Sequence, residues 1–126
     1  MSVKYTLALR GNPGDTSVEK KYYAQATSVG EINLKRLSSE ISSSSVLSES
    51  DVLMVLNKLA KTVNQHLSKG RIVRFDNFGS FCISLKSDGV EKPEEFDTIL
   101  LRSAKVIFRP NPDTKKMLNN LEFEKI

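Results

Sequence analysis

At Gly70 the spacing of apolar residues switches from the helical period to the extended one, and that switch narrows the folds open to this chain. Before it, Val52, Val55, Leu56, Leu59, Val63 and Leu67 recur at helical spacing, one apolar stripe through about five turns. Ser48 supplies an N-cap, with Asp51 three residues later in a capping-box arrangement. Glu49 and Asp51 put negative charge in the first turn, where the helix dipole favours it. Lys69 and Gly70 close the helix with a cation and a residue tolerant of left-handed geometry. After it, residues 70–84 alternate as a β-ribbon does. They include a tight Asn77-Phe78-Gly79 turn, Phe75, Phe78 and Phe81 three residues apart, and Arg71 and Arg74 in the first half. Gly79 answers either a need for positive φ or a close backbone approach. The phenylalanines read as core and interface residues.

The remaining segments flank that unit on both sides. Val3, Tyr5, Leu7 and Leu9 alternate with Lys4, Thr6 and Ala8, predicting a half-buried strand. Residues 11–15 carry dense turn chemistry, and residues 22–29 form a second extended run, so the first 30 residues predict a β-hairpin or strand pair. Ile32, Leu34, Leu37 and Ile41 predict a short helix packed on one side, and Ser42 to Ser45 a loop. Residues 85–98 hold Lys86 and Lys92 against Asp88, Glu91, Glu94, Glu95 and Asp97, two positive charges against five negative, or −3. Gly89 and Pro93 interrupt regular structure there, so the segment reads as an exposed loop or hairpin tip. Residues 99–108 return to strand composition with Arg102 and Lys105. Arg109-Pro110-Asn111-Pro112 then stops the strand and starts a terminal helix over 115–121, with Asn111 as cap. The order is β-β-α-α-β-β-α, a single α+β domain without internal repeats.

Composition sets the outer limits. The 126 residues are 39% apolar and 27% charged, which are globular values, and the net charge of +4 permits a polyanionic partner without requiring one. One cysteine, Cys82, excludes an internal disulfide and fits a reducing compartment; it reads as a small structural residue in a strand. No secretory leader or membrane-length apolar run is expected, and the reading is a soluble, cytoplasmic protein. His66 lacks partners at metal-ligand spacing and reads as a half-exposed helical residue. No phosphate-cradling glycine loop or nucleophile–base pair is present, so no enzyme activity, cofactor, metal or small-molecule substrate is expected.

From residue 32 to residue 118 the order resembles the HU/IHF family of bacterial histone-like DNA-bending proteins. The resemblance rests on the helix pair followed by Gly70-Arg71-Ile72-Val73, on Asn77-Phe78-Gly79-Ser80-Phe81, and on Lys105-Val106-Ile107-Phe108-Arg109-Pro110 before the last helix. The extra N-terminal residues, with Tyr22-Tyr23-Ala24, resemble the extension of a divergent HU-like subgroup. The resemblance implies an HU/IHF-like intertwined homodimer with a helical base and a β-ribbon arm spanning about 82–104. Residues 1–30 would be a β extension packed on the same domain, and residues 31–126 the HU-like domain.

The resemblance further implies non-catalytic, weakly sequence-specific binding and bending of double-stranded DNA in the bacterial nucleoid, with arms reaching into the minor groove. Such a mode needs cations along the saddle and an apolar wedge. Arg71, Arg74, Lys86, Arg102, Lys105 and Arg109 are the candidate saddle cations, and Lys92 with Pro93 falls where the family places its intercalating tip. The tip departs from the family pattern: Arg-Asn-Pro-x-Thr-Gly is replaced by Glu91-Lys92-Pro93-Glu94-Glu95-Phe96. The alternative is an HU-like dimeric protein-interaction or assembly module with little DNA binding, favoured by the acidic tip and the extra strand edges.

Overall fold

The computed structural model describes residues 2–11, 14 and 19–126, so most of the turn expected over 11–15 (Asn12, Pro13 and Asp15) lies outside the described residues. The chain divides into two compact units: Met1–Asn33 with Met117–Ile126, and Leu34–Lys116.

The first unit is a three-stranded sheet in the order β2-β1-β6. Strand β1, Val3–Arg10, pairs antiparallel with β2, Lys21–Thr27, as the alternation predicts. The third strand, β6, Phe123–Lys125, runs parallel to β1 with Val3 opposite Phe123 and was not expected. Val3 N donates to Glu122 O at 2.7 Å and Ile126 N to Tyr5 O at 3.0 Å, which fastens the C-terminal residues along β1. Lys4 Nζ adds an ion pair with Glu124 at 3.8 Å. On one face Val3, Tyr5 and Leu7 lie across from Phe123, Ala26 and Ala24.

The second unit joins two helices to a three-stranded ribbon. Helix α1, Leu34–Ser43, reaches further into the serine run than expected. The serines explain why: Ser43 Oγ donates to Glu40 O at 2.8 Å and Ser44 Oγ to Ile41 O at 3.2 Å, occupying carbonyls that the last turn leaves open. Ser38, wholly buried, is satisfied by donating to Leu34 O at 2.7 Å. Helix α2, Glu49–Ser68, begins as its capping signal predicts, Asp51 N donating to Ser48 Oγ at 3.2 Å. That cap contributes about 1 kcal/mol. Gly70, at φ 77°, ends it in the left-handed region. The helices pack together with Val52 and Leu67 as their buried apolar residues. Neither is long and apolar enough to cross a membrane, nor is any other helix among the described residues.

The ribbon has the order β3-β4-β5. Strand β3, Val73–Phe75, pairs with β4, Gly79–Ser87, which pairs with β5, Leu101–Pro110. The expected order therefore lacked one ribbon strand as well as β6. The strand expected from Ile99 begins at Leu101, because residues 98–100 form a short 3-10 turn. Helix α3, Pro112–Asn119, starts earlier than expected and is capped by Asn111, whose Oδ1 accepts from Thr114 N at 3.0 Å.

Candidate nucleic-acid interface

Antiparallel register decides which side chains share a face, because directly opposed residues point the same way and successive residues alternate. On one face Val73, Phe81 and Phe108 are in register, followed by Ile83 with Val106 and Leu85 with Ala104. Phe75, Phe81 and Val106 look toward the helices, where they share a concavity with Leu34, Leu59 and Leu67. Phe81 packs at a tilt on Phe108 with ring centroids 5.0 Å apart and edge-on with Phe75 at 5.7 Å, and Phe78 packs at a tilt on Phe108 at 4.8 Å. Phe75 and Phe81 are half-buried in this cluster, whereas Phe78, also expected in the core or an interface, is 48% exposed.

The opposite face is basic. Arg74 lies across from Ser80, which lies across from Arg109; Cys82 with Ile107 comes next on this face, and further out come Ser84 with Lys105 and Lys86 with Ser103. Arg74, Ser80 and Arg109 line one concavity of about 300 Å³ at the root of the ribbon. Ser84, Lys86, Ser103 and Lys105 line a second, of about 240 Å³, further along it. None of the four cations has an ion-pair partner among the described residues. Gly79 makes the root possible. A Cβ there would collide with the Arg109 carbonyl oxygen and stand 2.6 Å from the Phe108 ring, so the glycine serves close strand approach, and its φ is not positive.

The other four candidate residues are held elsewhere. Arg71 follows the end of α2, its N donating to His66 O at 3.1 Å and its Nη1 lying 3.0 Å from His66 Nδ1. The half-exposed histidine thus orients an arginine. Arg102 sits at a register shift beyond Lys86, where Ser87 pairs with Leu101. Its guanidinium is gripped by Asp88, with Nη2 to Oδ2 at 2.7 Å and Nε to Oδ1 at 3.0 Å. Lys92 and Pro93 lie in the tip, where Pro93–Glu95 is a 3-10 turn with Pro93 in its first turn and Glu94 and Glu95 beside it. All eight candidates are exposed. Sequence reasoning missed Ser80, Ser84 and Ser103, the hydroxyls between the cations, and Asp88, which neutralises Arg102.

A helix pair leading into a ribbon with one apolar and one basic face, closed by a short capped helix, defines an HU-like α+β protein. The chain belongs to the HU-HIG family, described as an HU domain fused to wHTH, Ig, or glycine-rich motif, whose model matches residues 1–125. Among solved structures, it is similar over 99% of its length to a bacterial protein from Bacteroides vulgatus ATCC 8482 assigned as DNA-binding. The TM-score is 0.65 at 13% identity, and the chain spans only 48% of that protein's length. It is also similar to Anabaena HU, solved in a cocrystal with DNA, with TM-score 0.56 and 16% identity, over 71% of this chain and 99% of that one. No curated protein matches the sequence.

Proposed function

We propose that this chain binds duplex DNA without catalysis and with weak sequence specificity, through the basic face of its ribbon. The observation that carries this reading is the alignment of Arg74, Arg109, Lys105 and Lys86 on one face with serine hydroxyls between them, none of the four in an ion pair among the described residues. Cations on a strand face contact phosphates, which position a protein on DNA but carry no sequence information. The DNA in the Anabaena HU cocrystal supports the same reading.

The binding species is a homodimer. Leu37, Ile41 and Leu59 remain about 40% exposed on the helices, and Leu59 lines a concavity of about 360 Å³ with Leu56, Val63 and Phe81. A second copy covers that apolar surface and sets two ribbons against one duplex, whose bend increases contact with the basic faces. The protein so read is architectural and nucleoid-associated.

Titration of a fluorescent duplex of about 30 base pairs from 50 to 200 mM salt tests this, since each neutralised phosphate adds about 0.9 to the log–log slope. Steep salt dependence is the expected result. No association at 50 mM, or affinity indifferent to salt, overturns the reading. Energy transfer between end-labelled duplex termini then reads the bend.

An assembly module with little DNA binding is the second reading. It draws on the first unit, whose face carries Leu7 and Phe123 at 47% and 66% exposure. A protein partner retained after nuclease treatment, together with salt-indifferent DNA titrations, favours it.

A further inference from the structure

We infer that Arg74, Ser80 and Arg109 form a seat for a single phosphodiester group, an inference that rests on the DNA-binding reading above. The three residues lie side by side across β3, β4 and β5. The outer strands stand about 10 Å apart, twice the usual strand spacing. Two guanidinium groups therefore flank one hydroxyl and line the same concavity. Two cations placed this way, with no carboxylate bridging them among the described residues, repel each other until an anion comes between them. Arginine suits that task because its planar fork meets two phosphate oxygens at once.

The rest of the wall narrows the choice of ligand. Pro110 and Pro112 offer no N–H, and Gly79 no side chain. Asn111 is already committed: its Nδ2 donates to Asp76 O at 2.7 Å and its Oδ1 accepts from Thr114 N. The side-chain donors left for a ligand are the two guanidinium groups and the Ser80 hydroxyl, which has no hydrogen-bond partner among the described residues. Asp76 also lines the concavity, so two arginines and one aspartate give a formal charge of +1. That balances a backbone phosphodiester, which carries one negative charge, better than a terminal phosphate, which carries about −1.5 to −2. The seat thus suits a singly charged internal phosphodiester better than a terminal phosphate.

A mutant cycle on the full chain tests the sharing. Arg74→Ala, Arg109→Ala and the double variant are titrated against the duplex from about 50 to 200 mM salt. If one phosphate is shared, each single variant loses nearly as much affinity as the double. The double lowers the salt slope by about 0.9 per arm, or about 1.8 for a homodimer. Additive losses, with a slope lowered by about 1.8 per arm, assign two separate phosphates and overturn the seat while leaving the DNA reading intact. A wild-type chain indifferent to salt overturns both. Ser80→Ala is expected to weaken binding several-fold at unchanged slope, and unchanged affinity removes the hydroxyl from the seat. Arg74→Gln and Arg109→Gln repeat the cycle if an alanine variant melts at lower temperature than wild type.

Discussion

At its root the ribbon presents Arg74, Arg109, Lys105 and Lys86 on one face, whereas at its tip Glu91, Glu94, Glu95 and Asp97 surround Lys92. Strands β4 and β5 lead from the root toward the tip, and the backbone differs as the charge does. From Gly79 to Lys86 the ladder with β5 is regular, which keeps the cations in line. Beyond it the register shifts, Asp88 N donates to Leu100 O at 3.0 Å, and residues 93–95 and 98–100 coil into 3-10 turns. The net charge of +4 conceals this segregation. For a polyanionic duplex the arrangement of charge along the ribbon matters more than its sum, because charges further apart than about 10 Å are largely screened at 0.1 M salt.

The largest expected effect comes from erasing the root. Replacing Arg74, Lys86, Lys105 and Arg109 together with alanine is expected to lower duplex affinity by on the order of a hundredfold or more at 50 mM salt. The salt slope distinguishes how the four are used. It falls by about 2.7 per arm if Arg74 and Arg109 share a phosphate, and by about 3.6 if every cation takes its own. All four side chains are exposed, so an unchanged melting temperature is expected alongside. Affinity within threefold of wild type places the interface elsewhere and ends the contrast between root and tip.

How far the two ends were legible in the sequence follows from the range of the interactions that build them. Helix α2 was legible because its cap and stripe are local: Ser48, Asp51 and the apolar series lie within a few turns of one another. The alternation of Arg74 with Phe75 and of Lys105 with Val106 was legible too. That Arg74, Ser80 and Arg109 stand in one row was not, since it depends on pairing across three strands, set in part by the space that Gly79 leaves for β5. Arg102 was grouped with the saddle cations because the resemblance implies a basic saddle along its strand. Its ion pair with Asp88, fourteen residues away, depends on a register shift that no local pattern announces. Strand β6 offered three residues, Phe123 to Lys125, too few for an alternation signal, and owes its form to β1 alongside it.

Neutralising the tip is expected to act in the opposite direction and more weakly. Glu91→Gln, Glu94→Gln, Glu95→Gln and Asp97→Asn in one chain remove four negative charges from the tip. Affinity is expected to rise roughly three- to tenfold at 50 mM salt, with the gain shrinking by 200 mM as screening shortens the reach of the tip. The same titration then shows whether Pro93 takes part, because a wedge freed from flanking carboxylates increases the duplex bend as well as the affinity. A gain in affinity without a change in end-to-end energy transfer means that the tip acts only by repulsion. A loss of affinity means that the carboxylates themselves serve binding, and the tip must then be counted with the root.

The smallest expected effect falls at the junction of the two regions. Asp88→Asn removes the carboxylate that grips Arg102, an ion pair with good two-point geometry but side chains 65% and 44% exposed. Such a pair contributes about 0.5 kcal/mol, so the melting temperature is expected to drop by only about 1–3 °C. Released, Arg102 adds one cation to the outer end of the basic face, and duplex affinity is expected to rise about threefold with a salt slope steeper by up to about 0.9 per arm. Asp88→Asn combined with Arg102→Ala controls for the loss of the pair itself: it keeps the small drop in stability and returns the slope to its wild-type value. If Asp88→Asn instead weakens binding, the pair holds the outer strands in the shape that DNA meets. The boundary of the interface then moves past Lys86 to include the register shift, and the tip becomes part of the geometry even though its charge opposes the ligand.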